Sequence, residues 1–395
     1  MRSTSGDSAG PPGVVPAAAR VVVAGGGTAG HIEPALNLAD ALRRLAPDVQ
    51  VTALGTEKGL DTTLIPARGY PLELIPPVPL PRRLGRALLA TPGRVRAAVA
   101  AAEQVLRRVD AEVVVGFGGY VALPAYLAAR RLGLPLVVHE ANARPGLANR
   151  GAARMTRHVF TATPRARLPH AIVIGIPLRP AITGLDRASA RAGARAAFGL
   201  RPDLPTLLVF GGSQGARSIN HAAATAAPLL RAAGVQVLHV TGPKNLDDVL
   251  AMGVAAPSDG PSDAPPYVVV PFVDGMAGAY AAADFALCRC GALTCAELAA
   301  VGLPAAYVPY PVGNGEQRLN AEPIVAAGGG LLVDDADLNA RWIRDTVVPR
   351  ITDPQVLARM SAAASHAGSR DADVVLARSV LNVVAEHRSP GERRR

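Results

Sequence analysis

The segment Arg20-Val-Val-Val-Ala-Gly-Gly-Gly-Thr-Ala-Gly-His31 joins a short apolar run to a glycine-rich turn and then to a helical pattern. A second segment of the same kind, Thr206-Leu-Leu-Val-Phe-Gly-Gly-Ser-Gln-Gly215, opens the second half of the chain. An apolar run that leads directly into glycines is typical of a strand buried on both faces and followed by a strand-to-helix turn. The two openings therefore predict two similar α/β domains, each built around a parallel sheet.

The alternation of apolar runs with Ala/Leu/Arg-rich helical stretches continues through the chain and predicts doubly wound, Rossmann-like domains that face each other across a cleft. The predicted strands are 20–24, 50–54, 72–75, 113–116, 136–139, 158–161 and 171–174 in the first half, and 206–210, 235–240, 267–270, 285–288, 305–308 and 330–333 in the second. We expect a disordered extension over 1–19, a first domain over 20–180, a second over 181–370, a helix over 371–388 that returns toward the first domain, and a tail over 389–395.

Composition excludes several classes of protein. The chain has 395 residues, of which 49% are hydrophobic, and only three cysteines, so it is neither wholly disordered nor a disulfide scaffold. Free thiols suit a reducing cytoplasm. Residues 113–129 are uncharged, but this run is shorter than the roughly 20 residues that a membrane span needs and contains three glycines and a proline. We therefore expect no membrane span and no secretion signal.

The net charge of +10 is concentrated in one part of the chain. Residues 80–170 contain fifteen arginines and four acidic residues, a surplus of +11, so the rest of the chain sums to about −1. Nucleic acid, anionic lipid headgroups and phosphorylated substrates are partners for such a field, and a solvated basic face is the alternative. Few aromatic residues and the absence of a recognised module disfavour nucleic acid.

Three glycine loops could bind phosphate through main-chain amides. The loop with Gly25, Gly27 and Gly30 formally matches the dinucleotide fingerprint, but the second predicted strand ends without the acidic residue that a nicotinamide cofactor needs. The third loop is Gly116-Phe-Gly-Gly-Tyr120. Three such loops at one cleft would suit two diphosphate ligands, one per domain, whereas each loop alone could be a bare turn.

Two histidines lie at the expected ligand edge of the first sheet, His31 after a predicted strand and its glycine loop, and His139 at the end of another predicted strand. His31 comes directly after the first glycine loop, where a helix N-terminus would keep the imidazole neutral and suited to accept a proton; contact with a phosphate is the alternative. The motif His139-Glu140-x-Asn142 offers hydrogen-bonding groups for a sugar, or forms a packed turn.

The stretch Cys288-Arg-Cys-Gly-Ala-Leu-Thr-Cys-Ala-Glu297 is the densest candidate site. Its strand would carry Arg289 to the cleft, and the amides of residues 292–294 would open a helix able to bind phosphate. Glu297, one turn later, could accept two hydrogen bonds from a ribose diol or merely complement the helix dipole. The three cysteines lack a fourth ligand at zinc spacing, so we predict no metal. Glu316, Gln317 and Asn320 form a polar cluster suited to sugar hydroxyls.

Six motifs occur in the order found in the MurG family, and the chain resembles that family over roughly residues 20–385. The motifs are Gly25-Gly-Gly-Thr-Ala-Gly-His31, Gly116-Phe-Gly-Gly-Tyr120, His139-Glu-Ala-Asn142, Gly211-Gly-Ser-Gln-Gly-Ala216, Arg289-Cys-Gly-Ala-Leu-Thr294 with Glu297, and Gly315-Glu-Gln-Arg-Leu-Asn-Ala321. The resemblance implies the two-domain GT-B fold. It also implies inverting transfer of N-acetylglucosamine from UDP-N-acetylglucosamine to the C4 hydroxyl of N-acetylmuramic acid in undecaprenyl-pyrophosphoryl-MurNAc-pentapeptide (lipid I), forming lipid II for peptidoglycan.

The resemblance also implies roles for individual residues. His31 is the candidate base, Glu297 would hold the ribose, and Arg289 would meet the charge of the departing UDP. The implied donor-site residues are Thr28, Ala29, Gly30, Asn142, Arg179, Ser213, Val273, Ala292, Leu293, Thr294, Cys295, Ala296, Glu297, Glu316, Gln317 and Asn320. Gly118, Gly119 and Tyr120 would bind the acceptor diphosphate. No cofactor is expected.

The expected partners are UDP-N-acetylglucosamine, lipid I and an anionic membrane surface, without nucleic acid. An apolar and arginine-rich face at residues 80–89 would rest on the cytoplasmic face of the cell membrane as a peripheral contact. Three other classes remain open on residues alone. They are a UDP-N-acetylglucosamine 2-epimerase, a nicotinamide oxidoreductase and a non-catalytic membrane adaptor.

Overall fold

The structure, a computed structural model, describes residues 18–78, 87–211, 216–254, 264–312 and 315–389, with the backbone alone described for 87–91. The first-half strands are β1 (Arg20–Gly25), β2 (Gln50–Gly55), β3 (Leu72–Leu74), β4 (Val113–Gly118), β5 (Leu136–Glu140), β6 (His158–Thr161) and β7 (Ala171–Val173). The second-half strands are β8 (Thr206–Phe210), β9 (Gln236–Val240), β10 (Tyr267–Val270), β11 (Phe285–Arg289), β12 (Ala305–Val308) and β13 (Gly330–Leu332).

The strands form two separate sheets in which every pairing is parallel. The first sheet has seven strands in the order β3-β2-β1-β4-β5-β6-β7, and the second has six in the order β10-β9-β8-β11-β12-β13. In each sheet the strand order runs outward in one direction from the first strand of the domain and then continues on its other side, as in doubly wound folds. In such folds ligands bind at the carboxyl ends of the strands. The predicted fold class is confirmed.

Helices cover both faces of each sheet. In the first half they are α1 (Ala29–Leu45), α2 (Asp61–Ala67), α3 (Ala87–Arg108), α4 (Ala122–Leu132), α5 (Leu147–Ala152), α6 (Pro180–Thr183) and α7 (Arg187–Ala197). In the second half they are α8 (Arg217–Thr225), α9 (Ala227–Ala232), α10 (Leu246–Leu250), α11 (Met276–Ala282), α12 (Ala292–Ala300), α13 (Glu316–Ala326), α14 (Ala340–Trp342), α15 (Val348–Ile351), α16 (Pro354–His366) and α17 (Ala372–Arg388).

Each predicted strand is present, with ends within two residues of the prediction. The agreement follows from burial, because strands such as β4 and β8 are covered on both faces and read as unbroken apolar runs. The largest difference is in β4, which continues past Gly116 to Gly118. An irregularity after Ala24 lets Gly118 pair with Gly25 and brings two glycine loops together.

The final helix packs on the first domain although it follows the second in sequence. Leu376, Val380 and Val384 of α17 belong to the same buried cluster as residues of α1 and β1. Arg44 of α1 forms an ion pair of 2.5 Å with the buried carboxylate of Asp373. The chain thus crosses between the two domains twice, and the assigned domain bounds remain predictions.

Direct contacts join the two domains across the cleft. The side-chain oxygen of Asn320 accepts the main-chain N–H of Ala143 at 3.0 Å, and Arg165 pairs with Glu322 at 2.8 Å. These contacts place α13 of the second domain against the loops that follow β5 and β6. Within the described residues, no helix is both long and apolar enough to span a bilayer.

Candidate functional site

The first and third glycine loops pack against each other at the carboxyl ends of β1 and β4. A Cβ added to Gly119, whose φ is +83°, would collide with the carbonyl oxygen of Gly26. A Cβ added to Gly27 would lie 3.3 Å from the ring of Tyr120. Because only glycine leaves room for this approach, the two loops form one continuous main-chain surface.

His31 lies in the first turn of α1 and faces this surface. Its Nδ1 is 3.0 Å from the hydroxyl oxygen of Thr28, and a Cβ on Gly118 would lie 3.2 Å from Nε2. Burial lowers the pKa of His31, and the charge of Asp61 partly opposes that effect. When Nδ1 carries the proton and Thr28 accepts it, Nε2 is left as a proton acceptor, as a general base requires.

Asp61 is a residue of the site that sequence reasoning missed. Its buried carboxylate accepts the main-chain N–H of Gly27 at 2.8 Å and that of Thr56 at 2.8 Å. The acidic residue that follows β2 most closely is Glu57, which is exposed. The contact that places Asp61 at the glycine loop is with Gly27, 34 residues away, so no local pattern marks it.

The second domain presents the start of α12 and the carboxylate of Glu297. At the N-terminus of α12, the first intrahelical hydrogen bond runs from the N–H of Cys295 to the carbonyl oxygen of Gly291. The main-chain N–H groups of residues 292–294 therefore have no acceptor within the helix. Tyr280, fully buried, donates its hydroxyl to Glu297 Oε2 at 2.7 Å. Burial raises the pKa of Glu297 to about 7, although the Tyr280 hydrogen bond acts in the opposite direction.

Arg179 lies where the domains meet, between helices α1 and α12. Its guanidinium donates from Nε and Nη2 to the buried carboxylate of Glu33, at 3.1 and 2.6 Å. It also acts electrostatically on Glu297 and lowers the pKa of that carboxyl. Glu33 is therefore a second residue that sequence reasoning missed, and a contact between Arg179 and the donor diphosphate stays a prediction.

Arg289 reaches the carboxyl end of β11 as predicted from the sequence, and both of its terminal nitrogens already have partners. It forms an ion pair with Asp335, donates to the hydroxyl of Ser218 at 2.9 Å and donates to the carbonyl of Pro309 at 3.2 Å. The side chain is largely buried. These bonds tie together the loops around the ligand edge, so a leaving diphosphate would have to share them, and that role stays a prediction.

The motif at the carboxyl end of β5 is held mainly by hydrogen bonds within the protein. Glu140 is buried and accepts the main-chain N–H groups of Asn142 at 2.9 Å and Gly146 at 3.0 Å. His139 is also buried, its Nε2 lies 2.8 Å from the carbonyl oxygen of Gly175, and burial lowers its pKa to about 4. The sequence left two interpretations of this motif, a sugar-binding group and a packed turn, and the packed turn fits His139 and Glu140. Asn142 is half-buried where the two domains meet.

The polar cluster predicted for sugar hydroxyls lies in the first turns of α13. Gln317 accepts the main-chain N–H of Tyr310 at 3.0 Å, and Asn320 accepts that of Ala143. Within the described residues, the buried Nδ2 of Asn320 has no hydrogen-bond partner. That amide can donate to a sugar oxygen in the cleft.

Of the remaining predicted site residues, most lie within the part of the chain that the structure describes. Thr28, Ala29 and Gly30 form the start of α1, and Val273 lies buried just after the exposed Phe272. Gly118 ends β4, and Gly119 and Tyr120 follow it. Ser213 lies outside the described residues. Among the described residues, no group of three or more His, Cys, Asp or Glu side chains is arranged to hold a metal ion.

Comparisons with known proteins identify the family. The model of the glycosyltransferase family 28 N-terminal domain matches residues 21–161, and that of the glycosyltransferase family 28 C-terminal domain matches residues 206–376. The crystal structure of Acinetobacter baumannii MurG is similar with a TM-score of 0.73 at 26% sequence identity, covering 93% of this chain and 99% of that one.

Two relatives carry one name, UDP-N-acetylglucosamine–N-acetylmuramyl-(pentapeptide) pyrophosphoryl-undecaprenol N-acetylglucosamine transferase. The Streptomyces avermitilis protein is 60% identical over 366 residues, covering 92% of this chain and 98% of that protein. The Acidothermus cellulolyticus protein is 61% identical over 368 residues, covering 93% and 99%. With both domain models matched and both relatives covered almost completely, the chain belongs to glycosyltransferase family 28 and, within it, to the MurG family.

Proposed function

We propose that this chain transfers N-acetylglucosamine from UDP-N-acetylglucosamine to the C4 hydroxyl of N-acetylmuramic acid in lipid I, forming lipid II. The observation that supports this proposal most directly is a contact between two helices, α1 and α12. His31 lies in the first turn of α1, and α12 carries Glu297. Arg179 spans the two helices by pairing with Glu33 and lowering the pKa of Glu297. A base and a ribose-binding carboxylate thus lie on opposite sides of one cleft, as transfer between two bound substrates requires.

The chemistry follows from these positions. The acceptor hydroxyl attacks the anomeric carbon of the α-linked donor while Nε2 of His31 accepts its proton, and UDP leaves from the opposite face to give a β-1,4 bond. A well-placed general base contributes about 10²–10⁴-fold to the rate. The charge that develops on UDP is stabilised by the free amides at the start of α12, because a helix N-terminus favours an anion.

Each part of the donor has its proposed partners. Glu297 holds the ribose diol, and the main chain of Val273 pairs with uracil. Ser213 and Arg179 meet the diphosphate or the sugar. The hydroxyls of the N-acetylglucosamine ring are read by a polar set on α13 and after β5, namely Glu316, Gln317, Asn320 and Asn142.

The lipid acceptor is proposed to lie against the first domain, its diphosphate on the amides of Gly118, Gly119 and Tyr120. The basic face at 80–89 would hold the domain on the anionic cytoplasmic surface of the membrane as a peripheral contact, although nearly all of it lies outside the described residues. Adjoining helices α3 and α4 pack together and expose six further arginines, namely Arg94, Arg96, Arg107, Arg108, Arg130 and Arg131. Each charge near such a surface contributes about 1 kcal/mol.

The transferase proposal is tested by mass spectrometry of a lipid I analogue incubated with UDP-N-acetylglucosamine and the protein. We expect the analogue to gain one N-acetylhexosamine, and His31→Ala to lower the rate at least 100-fold, as expected for loss of a general base. If the wild-type protein gives no product where an established MurG transferase does, the proposal is wrong. Conversion of UDP-N-acetylglucosamine to its C2 epimer without any acceptor would instead favour the epimerase.

The membrane proposal is tested with liposomes that contain anionic lipid. We expect simultaneous replacement of Arg82, Arg83 and Arg86 by glutamate to weaken binding while leaving affinity for UDP unchanged. A matched triple change of exposed arginines in the second domain serves as the control, namely Arg341, Arg344 and Arg359 to glutamate. Equal loss of liposome binding in both triple variants would refute a localised contact.

A further inference from the structure

We propose that Asp61 is a positioning residue for the transfer, because its buried carboxylate fixes the first glycine loop and sets a negative charge near the imidazole of His31. The inference rests on the proposed function, in which His31 accepts the acceptor's proton. Asp61 itself contacts no substrate in this proposal. It acts through the loop and the histidine.

The carboxylate joins two loops at the ligand edge of the first sheet. Oδ1 accepts the N–H of Gly27 at 2.8 Å, and Oδ2 accepts the N–H of Thr56 at 2.8 Å. The Thr56 hydroxyl lies 3.1 Å from Oδ2 and shares its proton with the carbonyl oxygen of Lys58 at 2.8 Å. Asp61 is fully buried. Two main-chain donors on one desolvated carboxylate hold the loop after β1 against the loop after β2, because hydrogen bonds to a charged group are stronger than neutral ones.

The backbone around the carboxylate is shaped to receive it. A Cβ on Gly26 would lie 3.1 Å from Oδ2 of Asp61, and a Cβ on Gly55 would lie 2.9 Å from the Cβ of Asp61. Gly59, with φ of +98°, approaches so closely that an added Cβ would lie 2.6 Å from the carbonyl oxygen of Gly27. Gly26 and Gly55 thus leave the room that the Asp61 side chain fills, and Gly59 lets its loop approach Gly27.

The hydrogen bond to Gly27 also decides which amides remain for a ligand. The N–H of Gly27 is occupied by Asp61, so it is not a phosphate donor in this loop. The amides of Ala29 and Gly30 lie in the first turn of α1 and have no intrahelical acceptor. Asp61 therefore orients the start of α1 toward the cleft and, with it, the side chain of His31.

The charge of Asp61 bears on proton transfer to His31. Burial opposes the protonated imidazole, and Asp61 is the charged group that counters this effect and raises the pKa of His31. The other charges near this edge have partners of their own, since Glu33 pairs with Arg179 and Arg68. The loop at Gly118 carries no charged side chain. A fixed negative charge stabilises the imidazolium that forms as the acceptor hydroxyl is deprotonated.

The test compares a substitution that removes the charge with one that keeps it. Asp61→Asn keeps the side-chain shape but removes the charge, and its NH2 group cannot accept one of the two main-chain N–H bonds. We expect kcat to fall about tenfold or more, the acid limb of the kcat–pH profile to move to lower pH, and the donor KM to change less than twofold. Thr56→Val keeps the charge and removes the hydroxyl, which contacts Asp61 Oδ2 and the carbonyl oxygen of Lys58. We expect a lower kcat with the acid limb unmoved. Asp40→Asn is the matched control, since it removes a carboxylate of α1 that binds Arg68 and Tyr70, and wild-type kcat is expected.

Each outcome decides the proposal. Loss of kcat in Asp61→Asn without movement of the acid limb would reduce Asp61 to structural support and overturn the inference, as would a wild-type profile. If Asp61→Asn does not fold by circular dichroism, a folded Thr56→Val enzyme with wild-type kcat and KM overturns it. Failure of the wild-type enzyme to make product would instead reject the proposed function, which separates the two failures.

Discussion

Donor binding is expected to weaken as the pH falls from 8 to 6, because Glu297 titrates within that range. Burial raises its pKa to about 7, and only the ionised carboxylate can accept two hydrogen bonds from the ribose. With that pKa, about ten elevenths of the protein is competent at pH 8 and about one eleventh at pH 6. Affinity should therefore fall about tenfold, or about 1.4 kcal/mol.

Isothermal titration calorimetry with UDP-N-acetylglucosamine measures this directly, since its diphosphate is esterified at both ends and does not titrate between these pH values. Tyr280→Phe removes the hydroxyl that binds Glu297 Oε2 and holds its pKa down. The midpoint of the binding profile should move to higher pH. A hydrogen bond to a charged group contributes about 1.5–3 kcal/mol, so binding at neutral pH should weaken at least severalfold.

Loss of folding does not account for the expected weakening. An acid whose pKa is raised in the folded state binds more protons folded than unfolded, so protonation of Glu297 stabilises the fold as the pH falls. Its contribution to stability declines instead as the pH rises from the ordinary glutamate range through about 7. Glu297→Gln should bind weakly at every pH. A wild-type affinity that is flat from pH 6 to 8 would refute the reasoning.

Two further predictions concern stability. Asn320→Ala leaves the buried N–H of Ala143 without its acceptor, so the free energy of unfolding in urea should fall by about 1–3 kcal/mol. An unchanged value would show that the cross-domain bond contributes nothing. Leu376→Ala removes a fully buried side chain where α17 packs on the first domain, and should lower the free energy of unfolding by about 2–5 kcal/mol. Replacing the exposed Arg378 of the same helix by alanine should change stability little. Equal effects of these two changes would contradict this packing.

Much of the fold could be predicted from the sequence, because it depends on short-range patterns. A strand covered on both faces must be apolar throughout, so β1, β4 and β8 appear as apolar runs that end at glycines. The glycine loops and the strand–turn–helix that carries Glu297 are likewise contiguous in sequence. Candidate site residues in these segments, such as His31 and Arg289, could therefore be assigned to the ligand edge in advance.

The connections among those residues could not be predicted in the same way. Asp61 bonds to Gly27 across 34 residues, and Glu33 bonds to Arg179 across 146. The resemblance implies that Arg179 belongs to the donor site, and the structure adds that its guanidinium binds a carboxylate of another helix. No periodicity or spacing encodes such partners.

The sequence by itself determined two parallel-sheet domains and the residues at their ligand edges, because burial on both faces of a sheet leaves an unbroken apolar pattern along the chain. The tertiary structure alone decided which charges and hydrogen bonds those residues share. Tyr280 meets Glu297, and Asn320 reaches Ala143 across 177 residues, only because packed helices and sheets bring them together. Local sequence records how each segment is buried, whereas partners across the cleft depend on how all segments pack.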